Sequence, residues 1–216
     1  MDRCFLSDTD LARSAVNATA RDFYGFTSAM SYARLVLAAS LTEPLPVGMS
    51  KELPPRHTAM GLVQHYINHV QIILPILDEA SFYPSVDNVY NPDQRKATPF
   101  DHWIVRLVLA IATAAQSQQR GDTHYSDAVG HICAAIGYAE QVLHPGSIGS
   151  IQAMLLLVLY AMFDPNHFDS WTLVGAASRA AVDLGMHQDP AKAANTPRAK
   201  LELRRRVFHC VYALDR

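Results

Sequence analysis

The chain has 216 residues, of which 50% are hydrophobic and 18% are charged, and its formal net charge is −2. This length is sufficient for one folded domain, and the composition excludes a disordered, highly charged tail. A chain so close to neutral is not expected to hold DNA by itself, because proteins that bind the phosphate backbone normally carry a net positive charge.

The cysteines and the apolar runs limit the compartments in which the protein is expected. Cys4, Cys133 and Cys210 lie far apart in the sequence, so neither a disulfide framework nor a thiolate zinc site is predicted. No secretory signal pattern opens the chain. The longest apolar run, residues 153–163, is about half the length of a bilayer span, which predicts no contact with a membrane.

Residues 1–56 are predicted to form an N-terminal segment and linker, followed by a helical domain over residues 57–216. The density of prolines in residues 42–48 and 53–55 prevents a continuous helix there. One helix is expected within this segment, around residues 28–41.

Apolar residues recur at helical spacing from Thr58 to Pro75, which predicts the first long helix of the domain. A polar loop is predicted over residues 85–99, because prolines lie in it and beside it. Asp101 is then expected to cap a second helix, which ends at Gly121.

Two apolar helices are predicted in the middle of the domain. The first carries apolar positions from Val129 to Leu143. The second is apolar on every side, runs to Phe163 and can be capped by Ser147 or Ser150. An apolar circumference predicts that neighbouring helices surround this element.

Asp169 is predicted to cap the fifth helix, which reaches about Met186. Thr196 and Pro197 are expected to cap and begin the sixth, over residues 198–215. Six helices without a strand pattern predict an all-α fold, an irregular multi-helix domain. The apolar pattern continues to the last residues, so we expect this domain to be incomplete at its C-terminus.

The sequence contains no pattern that predicts a catalytic residue, a cofactor-binding residue or a metal ligand. His65 and His69 share one helix face, but no glutamate follows His65, and two imidazoles make an incomplete zinc shell. A solvated polar face is the preferred interpretation. Neither a phosphate-binding glycine-lysine loop nor a nucleophile elbow is present, so we expect a protein that is not an enzyme.

The densest pattern begins at Trp171, with Gly175 one turn later on the same helix stripe. Glycine leaves a flat place that another helix backbone can approach. We therefore expect Trp171 and Gly175 to pack against the last helix near Phe208 and Tyr212. If Trp171 is buried, its replacement by alanine should cost about 3–5 kcal/mol.

Charged residues accompany both helices of this predicted contact. Arg179 has Asp183 four residues later, which is the spacing of a surface ion pair. Arg204, Arg205 and Asp215 project onto the apolar side of the last helix. We therefore expect these three charges to be partly buried.

Buried guanidinium groups need hydrogen-bonded carboxylate partners. We expect such a partner for at least one of Arg179, Arg204 and Arg205, with Glu202 or Asp215 as the nearest candidate. The last helix, with the final residue, holds six basic and two acidic residues. A nucleic-acid patch on this helix is the alternative that the charge pattern leaves open.

These two stretches resemble the fungal-specific transcription factor domain, the regulatory middle region of binuclear zinc cluster transcription factors, which is also named for xylanolytic activators. The resemblance runs from about residue 53 to the end of the chain. The residues that carry it are Trp171, Gly175, Arg179, Gly185, His187, Glu202, Arg204, Arg205, Arg206, Phe208, Tyr212, Asp215 and Arg216.

The resemblance implies a regulator of transcription in the nucleus of a fungus. In that family the helical region controls the activity of a separate zinc cluster that contacts DNA, and the present chain lacks that cluster. The resemblance thus implies no cofactor in this chain, with zinc and DNA contact confined to the missing region. Further partners that it implies are a second copy of the chain, other transcription regulators or a small-molecule effector.

Two alternatives stay open. One is an all-helical enzyme of fungal secondary metabolism, whose polar residues converge only in three dimensions, in a cleft with perturbed pKa values. The other is a truncated competitor that pairs with full-length regulators through its helices and blocks them.

Overall fold

A computed structural model describes residues 31–46, 48–91, 93, 96–189 and 197–216. In these ranges the chain forms nine α-helices and one π-helical turn. The α-helices are α1 (Tyr32–Ser40), α2 (Arg56–Tyr66), α3 (Glu79–Val89), α4 (Pro99–Ala114), α5 (Thr123–Ile136), α6 (Ala139–Val142), α7 (Ile148–Phe163), α8 (Ser170–Asp183) and α9 (Arg198–Asp215). The π-helical turn, Ile67–Gln71, continues directly from α2. The predicted irregular all-α fold is confirmed, with more helices than the six expected.

Helix α7 lies at the centre of the fold because it is apolar on every side. Its residues from Ser150 to Ala161 are buried, and α4, α6, α8 and α9 pack around it. Helix α4 packs in turn against α2, α3, α5 and α6. The buried indole of Trp103 on α4 donates its N–H to the Ala153 carbonyl on α7 at 3.2 Å. The one polar atom of that side chain is therefore satisfied between the two most buried helices.

The predicted boundaries of α7 are confirmed. Its N-cap is Ser147, whose hydroxyl accepts from the Ser150 backbone N–H at 3.0 Å. With 16 residues, α7 is shorter than a bilayer span. Among the helices that the structure describes, none combines the length and the apolar character that a membrane crossing requires.

The predicted start of α8 is also confirmed, because the Asp169 carboxylate accepts from the backbone N–H groups of Trp171 and Thr172. Helix α9 covers the predicted residues. The expected cap, Thr196, lies outside the described residues, and Pro197 occupies the N-cap position instead of the first helical turn.

Helix α3 shows that the polar loop predicted over residues 85–99 is wrong in its first part. The helix extends to Val89 and holds Pro84 in its interior. Proline removes one helical hydrogen bond, but Phe82, Val86 and Val89 are buried, and α3 packs on α4. Burial of each large apolar side chain contributes about 1.5–3 kcal/mol, which is enough to offset the local effect of the proline.

Helix α4 begins and ends at other residues than predicted. The N-cap is Thr98, and Asp101 is the third helical residue, which completes a capping box by accepting from the Thr98 backbone N–H at 2.8 Å. Pro99 occupies the first position, where a missing N–H breaks no helical bond. The helix ends at Ala114, so Gly121, with a φ of +91°, shapes the turn before α5.

Two other predicted helices are interrupted. The helix expected between Thr58 and Pro75 consists of α2 and the π-helical turn. The helix expected to reach Leu143 is divided at Gly137 into α5 and α6. Glycine in a helix interior costs about 1 kcal/mol relative to alanine, which makes Gly137 a weak point of that segment.

Helix α1 is held against the C-terminal half of the chain. It packs on α6 and α8, and Leu41, directly after it, forms an isolated antiparallel bridge with Phe168. The neighbouring Thr42 N–H donates to the His167 carbonyl at 3.0 Å. The helix expected around residues 28–41 is confirmed over the part that the structure describes.

Residues 49–55, which we call the strap, follow α1 and lie across α5. The Lys51 N–H donates to the Gly130 carbonyl at 3.1 Å, and the Tyr90 hydroxyl donates to the Pro54 carbonyl at 2.8 Å. A Cβ atom on Gly130 would lie 2.9 Å from the Lys51 Cβ. Glycine at this position therefore allows the close approach of the strap.

We expect Gly130→Ala to destabilise the protein by about 1–2 kcal/mol, because the added methyl group pushes the strap away from α5. Gly61→Ala is the matched control, since a Cβ atom at Gly61 on α2 meets open space. The control should be neutral or stabilising by up to about 1 kcal/mol. Urea unfolding gives both free energies, and equal effects of the two substitutions would contradict the close contact.

Candidate functional site

The residues that carry the family resemblance lie on α8, on α9 and in the turn after α8. The two helices run antiparallel in contact with each other. Arg204, near the start of α9, meets the end of α8. Near the end of α9, Asp215 accepts a hydrogen bond from the Ser178 hydroxyl in the middle of α8 at 3.1 Å. The expectation that these two stretches meet is confirmed.

Gly185 ends α8 in a turn that glycine forms without strain. Its φ of +63° lies in the left-handed region. The Gly185 N–H donates to the Val182 carbonyl at 2.8 Å, and the Met186 N–H donates to the Ala181 carbonyl at 2.9 Å. This pair of bonds defines a Schellman motif, in which a hydrophobic residue follows the glycine. Met186 fills that position and is buried.

Arg204 reaches the end of α8 from the neighbouring helix. Its Nη2 atom donates to the Leu184 carbonyl at 3.1 Å and to the Gly185 carbonyl at 2.6 Å. Carbonyl groups at a helix C-terminus lack helical partners and carry partial negative charge, so they favour a cation. The guanidinium therefore completes the cap of α8 and fixes the position of α9 beside it.

Arg205 and Arg206 reach two other segments. Arg205 donates two parallel bonds to the Asp189 carboxylate, at 3.0 and 3.1 Å. These bonds hold the pKa of Asp189 below its ordinary value. Arg206 pairs with Asp78, just before α3, at 3.2 Å. Three consecutive arginines thus connect α9 to the segment that follows α8 and to the residue before α3.

The prediction that at least one arginine of this region bonds a carboxylate is confirmed by Arg205. The expected partners were wrong, because Asp189 accepts the bonds and neither Glu202 nor Asp215 does. Arg204 is partly buried as predicted, whereas Arg205 and Asp215 are exposed. Arg205 and Asp215 are exposed because the face of α9 that packs on the core is not the apolar side onto which they project in the sequence.

The buried face of α9 consists of Val207, Cys210 and Val211. Phe208 is half-buried against the core, and Tyr212 is 47% exposed. Phe208 and Tyr212, near which the contact with α8 was predicted, therefore lie at the edge of this face. Val207, directly after the three arginines, and Cys210 are the buried residues that the sequence pattern did not indicate.

Trp171 lies on the surface with 83% of its area exposed, so the prediction that it packs against α9 is wrong. Helix α8 instead buries Leu173, Val174, Ala177 and Ala181. These residues form a second apolar stripe, which the sequence analysis did not identify, and this stripe is the one that packs on α7. A large loss of stability is therefore not expected when Trp171 is replaced.

Gly175 faces the guanidinium of Arg179 instead of another helix backbone. Both Nη atoms of Arg179 lie 3.7 Å from the position that a Cβ atom of Gly175 would take. No ion pair joins Arg179 to Asp183 or to another carboxylate in the described ranges. The predicted helix contact at Gly175 and the predicted Arg179–Asp183 pair are both wrong.

The remaining motif residues lie on the surface. His187 and Glu202 are exposed. The guanidinium carbon of Arg216 lies 4.9 Å from the centroid of the Tyr212 ring, a distance typical of a cation–π contact. The same ring stacks on His209 with 6.4 Å between centroids.

A buried polar cluster joins the end of α7 to α5. The Asp164 carboxylate pairs with His167 Nδ1 at 2.6 Å and accepts from the hydroxyls of Tyr160 at 3.0 Å and Tyr125 at 3.4 Å. Burial alone would raise the pKa of Asp164, but the hydrogen bonds from His167 and the two tyrosines outweigh it, so the pKa is lowered. The carboxylate and the imidazole are both more than nine-tenths buried, and their bonds hold the loop after α7.

A second cluster lies where the strap crosses α4 and α5. Arg106 donates to the Lys51 carbonyl and lies 3.3 Å from His131 Nδ1. Burial, Arg106 and Lys51 lower the pKa of His131 to about 4, and Asp127 only partly opposes them. The neutral imidazole can therefore accept a hydrogen bond from Arg106.

The described parts of the chain hold no group of three or more His, Cys, Asp or Glu side chains that could bind a metal ion. His65 and His69 stack on each other with 4.3 Å between ring centroids. His69 Nδ1 lies 2.9 Å from the His65 carbonyl oxygen. The two imidazoles thus interact locally on the surface of α2 and the π-helical turn.

Comparison with known proteins gives a family match and several relatives. The fungal specific transcription factor domain matches residues 63–216. The chain is 24% identical over 226 residues to the positive regulator of purine utilization of Emericella nidulans, covering 79% of the chain and 21% of that protein. It is 28% identical over 173 residues to the sorbicillinoid biosynthetic cluster transcription factor 2 of Penicillium rubens, covering 77% and 25%. It is 29% identical over 172 residues to the fusaridione A cluster transcription factor of Fusarium heterosporum, covering 76% and 32%.

The chain spans about a fifth to a third of the length of these relatives. No solved structure matches it. The family match begins within α2 and includes the α8–α9 pair with its cap.

Gly185→Ala should destabilise the protein by about 1–2 kcal/mol, because a Cβ atom is disfavoured at a left-handed φ. Gly175→Ala, on the same helix, meets only ordinary contact with the flexible end of Arg179 and should stabilise by up to about 1 kcal/mol. Thermal unfolding of both variants tests whether their midpoint temperatures shift in opposite directions, down for Gly185→Ala and up for Gly175→Ala. Equal shifts would show that the cap of α8 does not depend on glycine.

His131 should make the protein less stable in acid. Its pKa is lowered from 6.5 to about 4 in the folded state, so the unfolded chain binds more protons between these values and stability falls as pH falls through this range. The loss should reach up to about 3 kcal/mol. His131→Gln keeps an acceptor for Arg106 and should remove this part of the pH dependence. Urea unfolding at several pH values between 4 and 6.5 gives the free energy of unfolding of both proteins. An equal loss in the wild-type protein and in His131→Gln would show that His131 does not cause this pH dependence.

Proposed function

The chain belongs to the fungal specific transcription factor domain family, and we propose that it is the regulatory domain of a fungal transcription factor that acts in the nucleus. The family match over residues 63–216 carries this proposal. The three relatives described above are named as a regulator and as transcription factors. These names also support a role that is not enzymatic.

We infer that a separate region contacts DNA, and that this region holds the zinc cluster of the family together with its zinc. Arg204, Arg205 and Arg206 bond to carbonyls and carboxylates of this chain, so the basic stretch of α9 is engaged in holding the fold. The formal net charge of −2 gives no overall attraction to the phosphate backbone. Both observations disfavour the nucleic-acid patch considered for this helix.

Regulation is proposed to act through the position of α9. This helix packs on α7 and α8, and its arginines reach the end of α8, Asp189 and Asp78. A partner that binds a shifted α9 more tightly would therefore move the segment after α8 and the start of α3 together with it. The size of the effect is set by the difference in the partner's affinity for the two arrangements. Other transcription regulators, a second copy of the chain or a small-molecule effector are the partners that suit this role.

A reporter assay tests the proposal. We expect the full chain, placed between a heterologous DNA-binding domain and an activation segment, to change reporter output relative to a flexible linker of equal length. Arg204→Met leaves the carbonyls at the end of α8 without their cation, and α9 then loses its fixed position. This variant should return the output towards that of the linker fusion.

Gly61→Ala is the control for this assay, because a Cβ atom there meets open space on α2. It should retain the full change in output. Immunoblots must show equal amounts of all fusions. Equal output from the chain and the linker would refute a regulatory role.

A further inference from the structure

Helix α1 lies in a groove between α6 and α8, which we call the α1 groove. The Tyr32 hydroxyl, at the start of α1, also reaches Met154 Sδ on α7 at 3.9 Å. Burial raises the pKa of Tyr32, and the charge of Arg179, in the second half of α8, opposes this rise. At the end of α1, the Ser40 carbonyl accepts from the Asp169 N–H, just before α8, at 2.7 Å. Helix α1 therefore runs antiparallel to α8.

The α1 groove is a surface of the family domain, whereas α1 lies outside the family match. The match begins at residue 63, within α2, and includes α6, α7 and α8. Helix α1 ends at Ser40, before the match begins. A segment that is not part of the matched domain thus occupies a groove that the matched domain forms.

The buried residues of α1 have the spacing of a helix that binds in a groove. Ala33, Val36, Leu37 and Ser40 are buried, with Ala38 beside them. The first four occupy positions i, i+3, i+4 and i+7, which are the anchor positions of amphipathic helices in hydrophobic grooves. Small side chains fill the two end positions, and branched side chains fill the middle two. The occupant therefore shows which helical pattern the groove accepts.

Side-chain polar contacts hold α1 in the groove only weakly. Arg34 pairs with Glu140 on α6, but the two side chains are 57% and 54% exposed, and exposed ion pairs contribute little. The bond from Tyr32 has a thioether sulfur as its acceptor, which is a weak acceptor. In the described ranges no other side-chain hydrogen bond joins α1 to the rest of the chain. Apolar burial holds the helix, and another helix with the same pattern provides it equally well.

The strap is attached to the domain independently of α1. The Lys51 backbone bonds to α5 and to Arg106 on α4, so α1 can leave its groove while the strap and α2 stay in place. Gly48, between α1 and the strap, has a φ of +78°, and a Cβ atom there would meet open space. With nine residues, α1 is too short to stay helical by itself. A longer helix that is already formed therefore competes with it at an advantage.

We propose that the α1 groove binds an amphipathic helix of a partner protein, which displaces α1. The partner helix carries the pattern of α1: small side chains at i and i+7, branched apolar side chains at i+3 and i+4, and a basic residue at i+1. This basic residue pairs with Glu140, as Arg34 does. Helix α1 acts as an internal competitor, because a partner binds only the fraction of molecules in which α1 has left the groove.

The sequence of α1 supplies a probe for the groove. The probe is a synthetic peptide of residues 31–41 in which Leu35→Lys and Ala39→Glu are joined by a lactam bridge. Both positions are exposed in α1, so the bridge faces away from the groove. It holds the peptide helical, which lowers the cost of binding, and it gives the peptide a mass that differs from that of the same segment in the chain.

Hydrogen exchange of the full chain, followed by mass spectrometry, shows whether the peptide displaces α1. At saturating peptide we expect the amides of α1 in the chain to exchange at least roughly tenfold faster, whereas those of α8 stay protected. The same peptide with Leu37→Asp lacks a central anchor and should leave α1 protected. Displacement that requires this anchor places the peptide in the α1 groove.

Variants of the chain test the competition by α1, with the affinity for the labelled peptide measured by fluorescence anisotropy. Leu37→Asp weakens the internal competitor and should raise the affinity roughly tenfold or more. Leu35→Asp is the matched control, because it makes the same change at a position of α1 that is 44% exposed, and it should leave the affinity unchanged. Arg34→Glu keeps the apolar face of α1 intact and places a second carboxylate beside Glu140. It should raise the affinity roughly two- to fivefold even if Leu37→Asp does not fold.

Three results would overturn the proposal: amides of α1 that stay protected at every peptide concentration, equal affinity of the wild-type chain and Arg34→Glu for the peptide, or dimers in sedimentation that the peptide dissociates. The last result would make α1 of a second copy the occupant of the groove. All of these measurements use the purified chain, so their outcome is independent of the reporter assay for regulation.

Discussion

The arrangement of α8 and α9 depends on how α8 ends. A helix leaves its last carbonyl groups without partners and concentrates partial negative charge there. Gly185 turns the chain so that backbone amides bond two of these carbonyls, and Arg204 brings a cation to the carbonyls beyond them. Because the guanidinium belongs to α9, the bonds that satisfy α8 also position α9.

Polar side chains also hold distant segments together at two other places in the fold. At the end of α7, hydrogen bonds to Asp164 hold the loop that faces the residues after α1. At α4 and α5, Arg106 holds the strap through the Lys51 carbonyl while His131 stays neutral. In each case a buried or half-buried polar group joins segments that are far apart in sequence, and its burial makes the loss of a partner costly.

Local chemistry made some elements predictable from the sequence. Ser147 and Asp169 are caps because their side chains bond amides two or three residues later, and this spacing is visible in the sequence. The features that the sequence did not predict depend on packing between helices. Pro84 is tolerated in α3 because neighbouring side chains are buried. Trp171 and Leu173 mark two stripes of α8, and only contact with α7 selects the stripe of Leu173.

The pairing of the residues after α1 with the loop after α7 has a consequence for synthesis of the protein. The Thr42 hydroxyl donates to the Asn166 carbonyl across 124 residues of sequence. At ribosomal rates this separation corresponds to a delay of roughly 6–25 s before the partner exists. During that delay α8, one of the two helices on which α1 packs, does not yet exist, so the apolar face of α1, with Val36 and Leu37, is incompletely covered. The apolar face of α1 is therefore fully covered only after the chain has been synthesised through α8.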